Sequence, residues 1–162
     1  MKSLSILFLS LIVISYACSD KSNEVNTELA RPPLPEQLGY SSAQIKYWYS
    51  TAKDFEKAYT LIEETDSTLK YEMITFTRVY KFQNGKCSSI GDIRVALDNE
   101  MSQHFIKSLH KELKEYGFEE GKTVGDITVL NNSSTPNLKA MYSQQMNENR
   151  TNLIHIVMYY KE

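Results

Sequence analysis

The histidines are the side chains of this sequence best suited to chemistry, and their spacing argues against a shared site. His104 and His110 fall on one predicted helix, roughly 240° apart around its axis. A helical pair that shares a metal ion lies about one turn apart instead. His155 lies in the middle of a predicted strand, where we interpret it as a hydrogen-bonded structural histidine, with a catalytic role as the alternative. No metal site is predicted.

Nucleophilic and phosphate-binding motifs are also missing from the sequence. There is no Gly-x-Ser-x-Gly motif, which exposes a catalytic serine, and the 6 glycines are scattered singly. The paired carboxylates Glu63-Glu64 and Glu119-Glu120 fall at predicted element ends or turns, and adjacent residues on a helix do not face each other. We therefore expect no cofactor and favour a non-enzymatic protein over an enzyme.

The N-terminus has the order of features that is typical of a signal peptide. A single cation, Lys2, precedes an apolar run at residues 4–14 and a small-residue segment at 15–17. The apolar run is shorter than the about 20 residues that a membrane-spanning helix needs. We therefore predict that residues 1–17 are a signal peptide, removed before Cys18.

The residues after this cleavage site carry a family resemblance. Residues 18–24 read Cys-Ser-Asp-Lys-Ser-Asn-Glu, a cysteine followed by a short charged stretch. They resemble the start of a mature bacterial lipoprotein, especially the outer-membrane lipoproteins of Bacteroidetes-type bacteria. The resemblance implies that Cys18 is acylated and anchors the protein in the cell envelope, on the periplasmic or the surface side of the outer membrane. Ser15 stands where the lipoprotein motif prefers leucine, and export without acylation is the alternative.

The rest of the chain has the composition of one ordinary domain. The formal net charge of −2 becomes −3 without residues 1–17, which contain one lysine and no acidic residue. No basic stripe is present, so we expect no nucleic-acid partner. Residues 18–40 contain prolines and few apolar residues, and we predict an extended tether there. Residues 41–162 are predicted to form a single domain.

Hydrophobic periodicity predicts two helices. The first begins at Ser41 or Ser42, and its apolar stripe, with spacings of three and four, continues to about Glu64. The second begins at Asp98 or the next residue and ends at Gly117, which supplies a left-handed terminal residue. We expect both helices to pack on a sheet.

Residues 71–97 are predicted to form a β-hairpin between the two helices. Its turn is Asn84-Gly85, which tolerates the positive φ angles of a two-residue loop. Such a loop pairs Phe82 with Cys87 and sorts apolar residues onto one face. Cys87 therefore points into the core, where we interpret it as a small hydrophobic residue.

Arg78 breaks the pattern of this hairpin. In the predicted register it falls on the apolar face, opposite Gly91. Either a bulge at Gly91 turns the arginine out to solvent, or the arginine reaches into a pocket.

The C-terminal part is predicted to add three strands. One covers residues 123–130, and two more are joined by a loop at 147–149 that sets Leu138 opposite Met158. Residues 153–160 are apolar on both faces, as in a central strand. The predicted fold class is α+β, in the order α-β-β-α-β-β-β, with an antiparallel sheet of about five strands covered by two helices.

Three classes of function fit this domain. We favour a non-enzymatic envelope domain that binds a protein partner or a small apolar ligand, including inhibitor or immunity proteins, because tyrosine and tryptophan are enriched at interfaces. The second class is a small hydrolase or isomerase that uses His155 with Arg78 or Asp92 in a sheet-lined pocket. The third is a structural envelope lipoprotein. If Arg78 and His155 converge in one pocket, the enzyme hypothesis is favoured. If the two side chains lie on opposite faces of the sheet, it is excluded.

Overall fold

The computed structural model describes residues 33–51, 59–147 and 151–162. All of them belong to one compact unit. The predicted signal peptide, Cys18 and most of the predicted tether lie outside the described residues. No helix in the described ranges is long and apolar enough to cross a membrane.

The described residues form eight strands in one antiparallel sheet. In chain order the strands are β1 (Thr60–Thr65), β2 (Thr68–Met73), β3 (Phe76–Gln83), β4 (Lys86–Ala96), β5 (Phe118–Val124), β6 (Ile127–Asn132), β7 (Leu138–Met146) and β8 (Leu153–Lys161). Across the sheet they follow the order β1-β2-β3-β4-β8-β7-β6-β5. β4 and β8 therefore lie at the centre, and β1 and β5 form the edges.

Two helices and a short 3₁₀ turn complete the described structure. They are the 3₁₀ turn Leu34–Gln37, α1 (Ser42–Thr51) and α2 (Asn99–Glu115). α2 is capped by Asp98, whose carboxylate accepts a hydrogen bond from the Met101 backbone N–H at 2.7 Å. Gly117 follows with a φ angle of 77°. Both predicted ends of this helix are confirmed.

The predicted fold class is wrong. An α+β fold with about five strands covered by two helices was expected, whereas the described residues are mostly β and form a sheet of eight strands. Three changes account for the difference. Residues 60–65 form β1, the predicted first strand of the hairpin is divided into β2 and β3 by a turn at residues 74–75, and the predicted strand 123–130 is divided between β5 and β6.

Residues 60–65 were predicted to continue the first helix and instead form β1. Residues 52–58, the central part of that prediction, lie outside the described residues. Ile62 fits helical spacing, but Thr60, Ile62 and Thr65 are β-branched and favour a strand. A two-residue turn at residues 66–67 then leads into β2.

The predicted strand 123–130 contains the end of β5, a turn and most of β6, which together form a hairpin. The chain turns at Gly125 and Asp126 between the two strands. Gly125 has a φ angle of 59°, a left-handed conformation that glycine adopts without steric cost. β5 begins directly after α2, at Phe118.

The β3–β4 hairpin has the predicted turn but not the predicted register. Asn84 and Gly85 have φ angles of 53° and 72°, and Phe82 pairs with Cys87 as predicted. A bulge between Lys81 and Phe82 then shifts all later pairs by one residue. Every side chain of β4 beyond the bulge therefore faces the opposite side from the one predicted.

The β7–β8 register also differs from the prediction. Leu138 pairs with Lys161 rather than with Met158, because β7 continues to Met146 and β8 begins only at Leu153. The connecting loop is therefore longer than predicted. The central position expected for this apolar segment is confirmed, since β8 lies between β4 and β7.

Both helices pack on one face of the sheet. Tyr49 of α1 is hydrogen bonded to Tyr80 of β3, and Ser102 of α2 to His155 of β8. We call this side the helix face. The buried and half-exposed side chains of β4 alternate beyond the bulge, so that Ile90 faces the helices and its neighbours face the other side. None of the described helices covers that second side, which we call the open face.

Candidate functional site

Arg78 and Asp92 form a buried ion pair on the helix face. The guanidinium donates from Nε to Oδ1 at 2.6 Å and from Nη2 to Oδ2 at 2.9 Å. The two residues are 4% and 0% exposed. Burial alone would lower the pKa of Arg78, but the charge of Asp92 and its hydrogen bonds raise that pKa well above the ordinary value. The prediction that Arg78 lies opposite Gly91 is wrong, because the bulge places it opposite Asp92.

A second ion pair extends this cluster towards α2. Arg94 lies 3.8 Å from Asp92 and donates from Nη2 to Glu112 of α2 at 3.2 Å. Tyr159 of β8 donates its hydroxyl to the same glutamate at 3.1 Å. The ring of Phe76 lies within cation–π distance of both arginines, at 5.3 and 5.1 Å.

The charges of this cluster balance, since two arginines face two carboxylates. Among the described residues only the Nε of Arg94 is a buried side-chain nitrogen or oxygen without a hydrogen-bond partner. A buried ion pair with its hydrogen bonds satisfied contributes little net stability but is costly to break. We therefore assign Arg78 and Asp92 to the polar core of the domain rather than to a reaction centre.

His155 is also buried, with both ring nitrogens hydrogen bonded. Nε2 lies 2.9 Å from the Ser102 hydroxyl of α2, and Nδ1 lies 3.0 Å from the Tyr142 hydroxyl of β7. Burial, and secondarily the charge of Arg94, lower the pKa of His155. The imidazole is therefore held in its neutral form, where one nitrogen donates and the other accepts.

The distance between Ser102 and His155 is that of a catalytic nucleophile and its base, but the pair is not accessible to a substrate. Ser102 is 1% exposed and His155 2% exposed, so no substrate reaches the hydroxyl. This geometry fits the interpretation of His155 as a hydrogen-bonded core residue.

Arg78 and His155 lie on the same sheet face without converging. His155 is directly opposite Arg94 on the neighbouring strand, whereas Arg78 belongs to the next strand and bonds Asp92. Neither arginine contributes to the hydrogen bonds of His155, and neither Arg78 nor His155 lines the cleft described below. The pocket that the enzyme hypothesis requires is therefore not formed by these two side chains.

A cleft of about 460 Å³ lies between α2 and the strands β5, β6 and β7. Its size is within the range of about 300–1,000 Å³ that is usual for small-molecule sites. The apolar side chains that line it are Leu113, Phe118 and Leu130. The polar lining residues are His110, Lys114, Glu119, Thr128 and Tyr142.

Tyr142 connects this cleft to the core. Its ring is half-buried and stacks on His155 with the ring centroids 6.3 Å apart. Burial raises the pKa of Tyr142, so the hydroxyl stays protonated. The hydrogen bond to His155 holds the side chain of Tyr142, which lines the cleft, in a defined position.

The remaining candidates give no further site. Cys18 lies outside the described residues. Cys87 is 3% exposed, and burial raises the pKa of its thiol to about 12, which confirms the prediction that it behaves as a small core residue. In the described part of the chain, no three His, Cys, Asp or Glu residues are grouped so that they hold a metal ion.

No family model, no curated protein and no solved structure matches this chain. Its function therefore has to be inferred from its own residues and their geometry.

Sequence reasoning identified His155 but missed both of its partners. Ser102 lies three residues before Phe105 on the apolar stripe of α2, and a small polar residue on such a stripe is the signal that points to a buried hydrogen bond. The predicted register, with Leu138 opposite Met158, puts Tyr142 and His155 on opposite faces of the sheet, whereas the observed register puts both on the same face.

Proposed function

We propose that this protein is a lipid-anchored, non-enzymatic domain of the bacterial cell envelope that binds a small, mainly apolar ligand. The anchor is assigned to Cys18 from its sequence context. The binding site is the cleft between α2 and β5–β7. The observation that carries the proposal is this cleft, with Leu113, Phe118 and Leu130 in its walls and with the side chain of Tyr142, held by His155, in its lining.

The lining of the cleft suits binding better than catalysis. Leu113, Phe118 and Leu130 supply apolar surface, which is the main source of affinity for small ligands. Tyr142 supplies a polar group whose position is held by His155. His110 lines the cleft but is exposed, and it has no hydrogen-bond partner among the described residues that would orient its ring.

The cleft also argues against a purely structural lipoprotein, which needs no such cavity. The hydrolase or isomerase alternative loses its proposed residues, because Arg78 and Asp92 bond each other and His155 is sealed in the core.

Binding is tested with 8-anilinonaphthalene-1-sulfonate, an aromatic probe that fluoresces in apolar sites. The mature chain carries Cys18→Ser so that it stays soluble. We expect saturable binding, and we expect Thr128→Trp, which fills the cleft from β6, to weaken it by about tenfold or more. Asn131→Trp is the matched control, since it lies on the same strand but on the open face.

Thermal melts of each variant separate lost binding from lost folding. The cleft is refuted as the site if the unsubstituted protein binds the probe without saturation. It is also refuted if Thr128→Trp and Asn131→Trp weaken binding equally at unchanged melting temperature.

The anchor is tested separately with full-length precursor expressed in a bacterial host. Cys18→Ser should still be exported but should lose the acyl mass and the partitioning into the detergent phase, because a diacyl group is the main source of membrane affinity. An unsubstituted protein that is exported without that mass would show that the chain is secreted but not anchored.

A further inference from the structure

The open face of the sheet carries three rows of side chains that follow the strand pairing. One row, the methionine row, comprises Val79, Gly91, Met158, Met141 and Val129. The next, the isoleucine row, comprises Thr77, Ile93, Ile156, Ser143 and Ile127. On the far side of the methionine row, the lysine row comprises Lys81, Ser89, Tyr160, Lys139 and Asn131.

The centre of this face is apolar and its charges lie at the periphery. No member of the methionine row or of the isoleucine row is charged, whereas Lys81 and Lys139 stand at one end of the strands. An apolar centre with a polar rim is the usual anatomy of a protein interface. No described helix covers this surface, although β8 carries Ile154, Ile156 and Met158 on it.

The size of the open face, including its polar rim, fits a modest dimer. A fourth row beyond the isoleucine row carries Val95, Ile154 and Gln145. Five strands about 4.8 Å apart and these four rows about 7 Å apart span roughly 600 Å². Two such surfaces in contact bury roughly 1,200 Å², which is the lower limit for a stable protein interface. Stacked sheets of two copies would also reproduce the ordinary packing of a β-sandwich.

We propose that a second copy of this chain covers the open face, in a face-to-face dimer whose two-fold axis crosses the strands between the methionine and isoleucine rows. This axis places each strand over the same strand of the partner, with the two rows exchanged. Gly91 then lies under Ile93 of the partner subunit, and Ser143 under Met141 of the partner subunit. On both strands a bulky side chain meets a small one.

A hollow on the open face supports this pairing. It measures about 170 Å³, and it is lined by Ile127, Met141, Tyr142, Ser143, Ile156 and Met158 of the same chain. The side chain from Met141 of the partner subunit would fill this hollow, and apolar side chains that fill voids gain both dispersion contacts and burial.

Charge disfavours a second two-fold axis, one that runs along the strands between β4 and β8. That axis would place β3 over β7 of the partner, so that Lys81 would face Lys139 of the partner subunit. Like charges at an interface are destabilising. In the proposed arrangement the lysine rows of the two copies lie at opposite ends of the interface.

Sedimentation equilibrium of the mature chain with Cys18→Ser tests the dimer at micromolar concentrations. We expect twice the mass of the chain, and we expect Ile156→Lys to shift the protein to a monomer. Ile74→Lys is the control, because Ile74 is 99% exposed in the β2–β3 turn, away from the rows. A monomeric parent chain, whether or not its open face then binds lipid vesicles or another protein, would overturn the proposal.

A residue exchange tests the axis. Ser143→Met should weaken dimerisation by about tenfold or more, because two methionines then compete for one hollow. Adding Met141→Ser to Ser143→Met restores one large and one small partner, and dimerisation should recover. If the double variant associates as weakly as Ser143→Met alone, the proposed axis is wrong. Circular dichroism melts confirm that each variant is folded.

Discussion

At the scale of single residues, the ion pair of Arg78 and Asp92 has the largest expected effect on stability. Both side chains are almost fully buried, and each carboxylate oxygen accepts a bond from the arginine. Asp92→Asn removes the charge and leaves Arg78 without compensation. We expect a loss of about 3–5 kcal/mol in the free energy of unfolding, measured by urea denaturation.

Asp126→Asn is the matched control for this prediction, since Asp126 is exposed in the β5–β6 turn. Replacing both partners, with Arg78→Met and Asp92→Leu together, should cost less than Asp92→Asn alone, because no unpaired charge remains. Equal effects of Asp92→Asn and Asp126→Asn would contradict the structural role of the pair.

His155 should make the stability of the protein depend on pH. Its pKa lies below the ordinary value of 6.5 when the protein is folded, so the unfolded chain binds the proton more readily. Stability is therefore highest above pH 6.5 and falls as the pH drops from there through the folded pKa. The slope for one such group reaches at most about 1.4 kcal/mol per pH unit.

The measurement for this prediction is the unfolding free energy at several pH values in parallel for three proteins. His155→Gln should flatten the dependence, whatever its effect on stability at neutral pH. Gln103→Ala, which removes an exposed side chain without a titratable group from α2, should leave the slope unchanged. A parent chain whose slope matches that of His155→Gln would show that His155 does not titrate in this range.

At the scale of elements, the parts of the fold that were correctly predicted from the sequence are those that depend on local chemistry. The turn at Asn84-Gly85 and the two ends of α2 are set by residues whose backbone preferences and side-chain bonds act nearby. The bulge between Lys81 and Phe82 has no such local signal. Its one-residue shift decides that Arg78 meets Asp92.

The candidate site depended on these nonlocal features even more strongly. The cleft is formed by α2 and the β5–β7 strands, and β5 was not predicted as a separate strand. The bond between Tyr142 and His155 requires the β7–β8 register, which the length of the connecting loop controls. The position of the cleft could therefore not be derived from hydrophobic periodicity.

The N-terminal cap of α2 gives the clearest prediction at this scale. Asp98→Ala should reduce the free energy of unfolding by about 1 kcal/mol, because the Met101 N–H loses its side-chain acceptor. Gln103→Ala is the control, on the exposed surface of the same helix. Thermal and urea unfolding measure both changes. Equal effects of the two substitutions would show that the cap does not stabilise α2.

At the scale of the whole molecule, the chain repeats one order of elements. In the part of the chain that the structure describes, each half is a helix followed by four antiparallel strands, first α1 with β1–β4 and then α2 with β5–β8. The two halves meet where β4 pairs with β8, and α2 packs across this junction through Ser102 and Glu112. The last strand of each half therefore forms the centre of the sheet.

This arrangement predicts that the central strands unfold last and that both halves unfold when these strands do. Amide hydrogen exchange should be slowest in β4 and β8 and fastest in β1, whose residues are all exposed. Val157→Ala, at a site 2% exposed in β8, should cost about 2 kcal/mol and lower the protection of strands in both halves. Leu61→Ala in β1 should change exchange only in β1 and β2. If Val157→Ala lowers the protection against hydrogen exchange only in β5–β8, the two halves unfold independently. The β4–β8 pairing is then too weak to couple them.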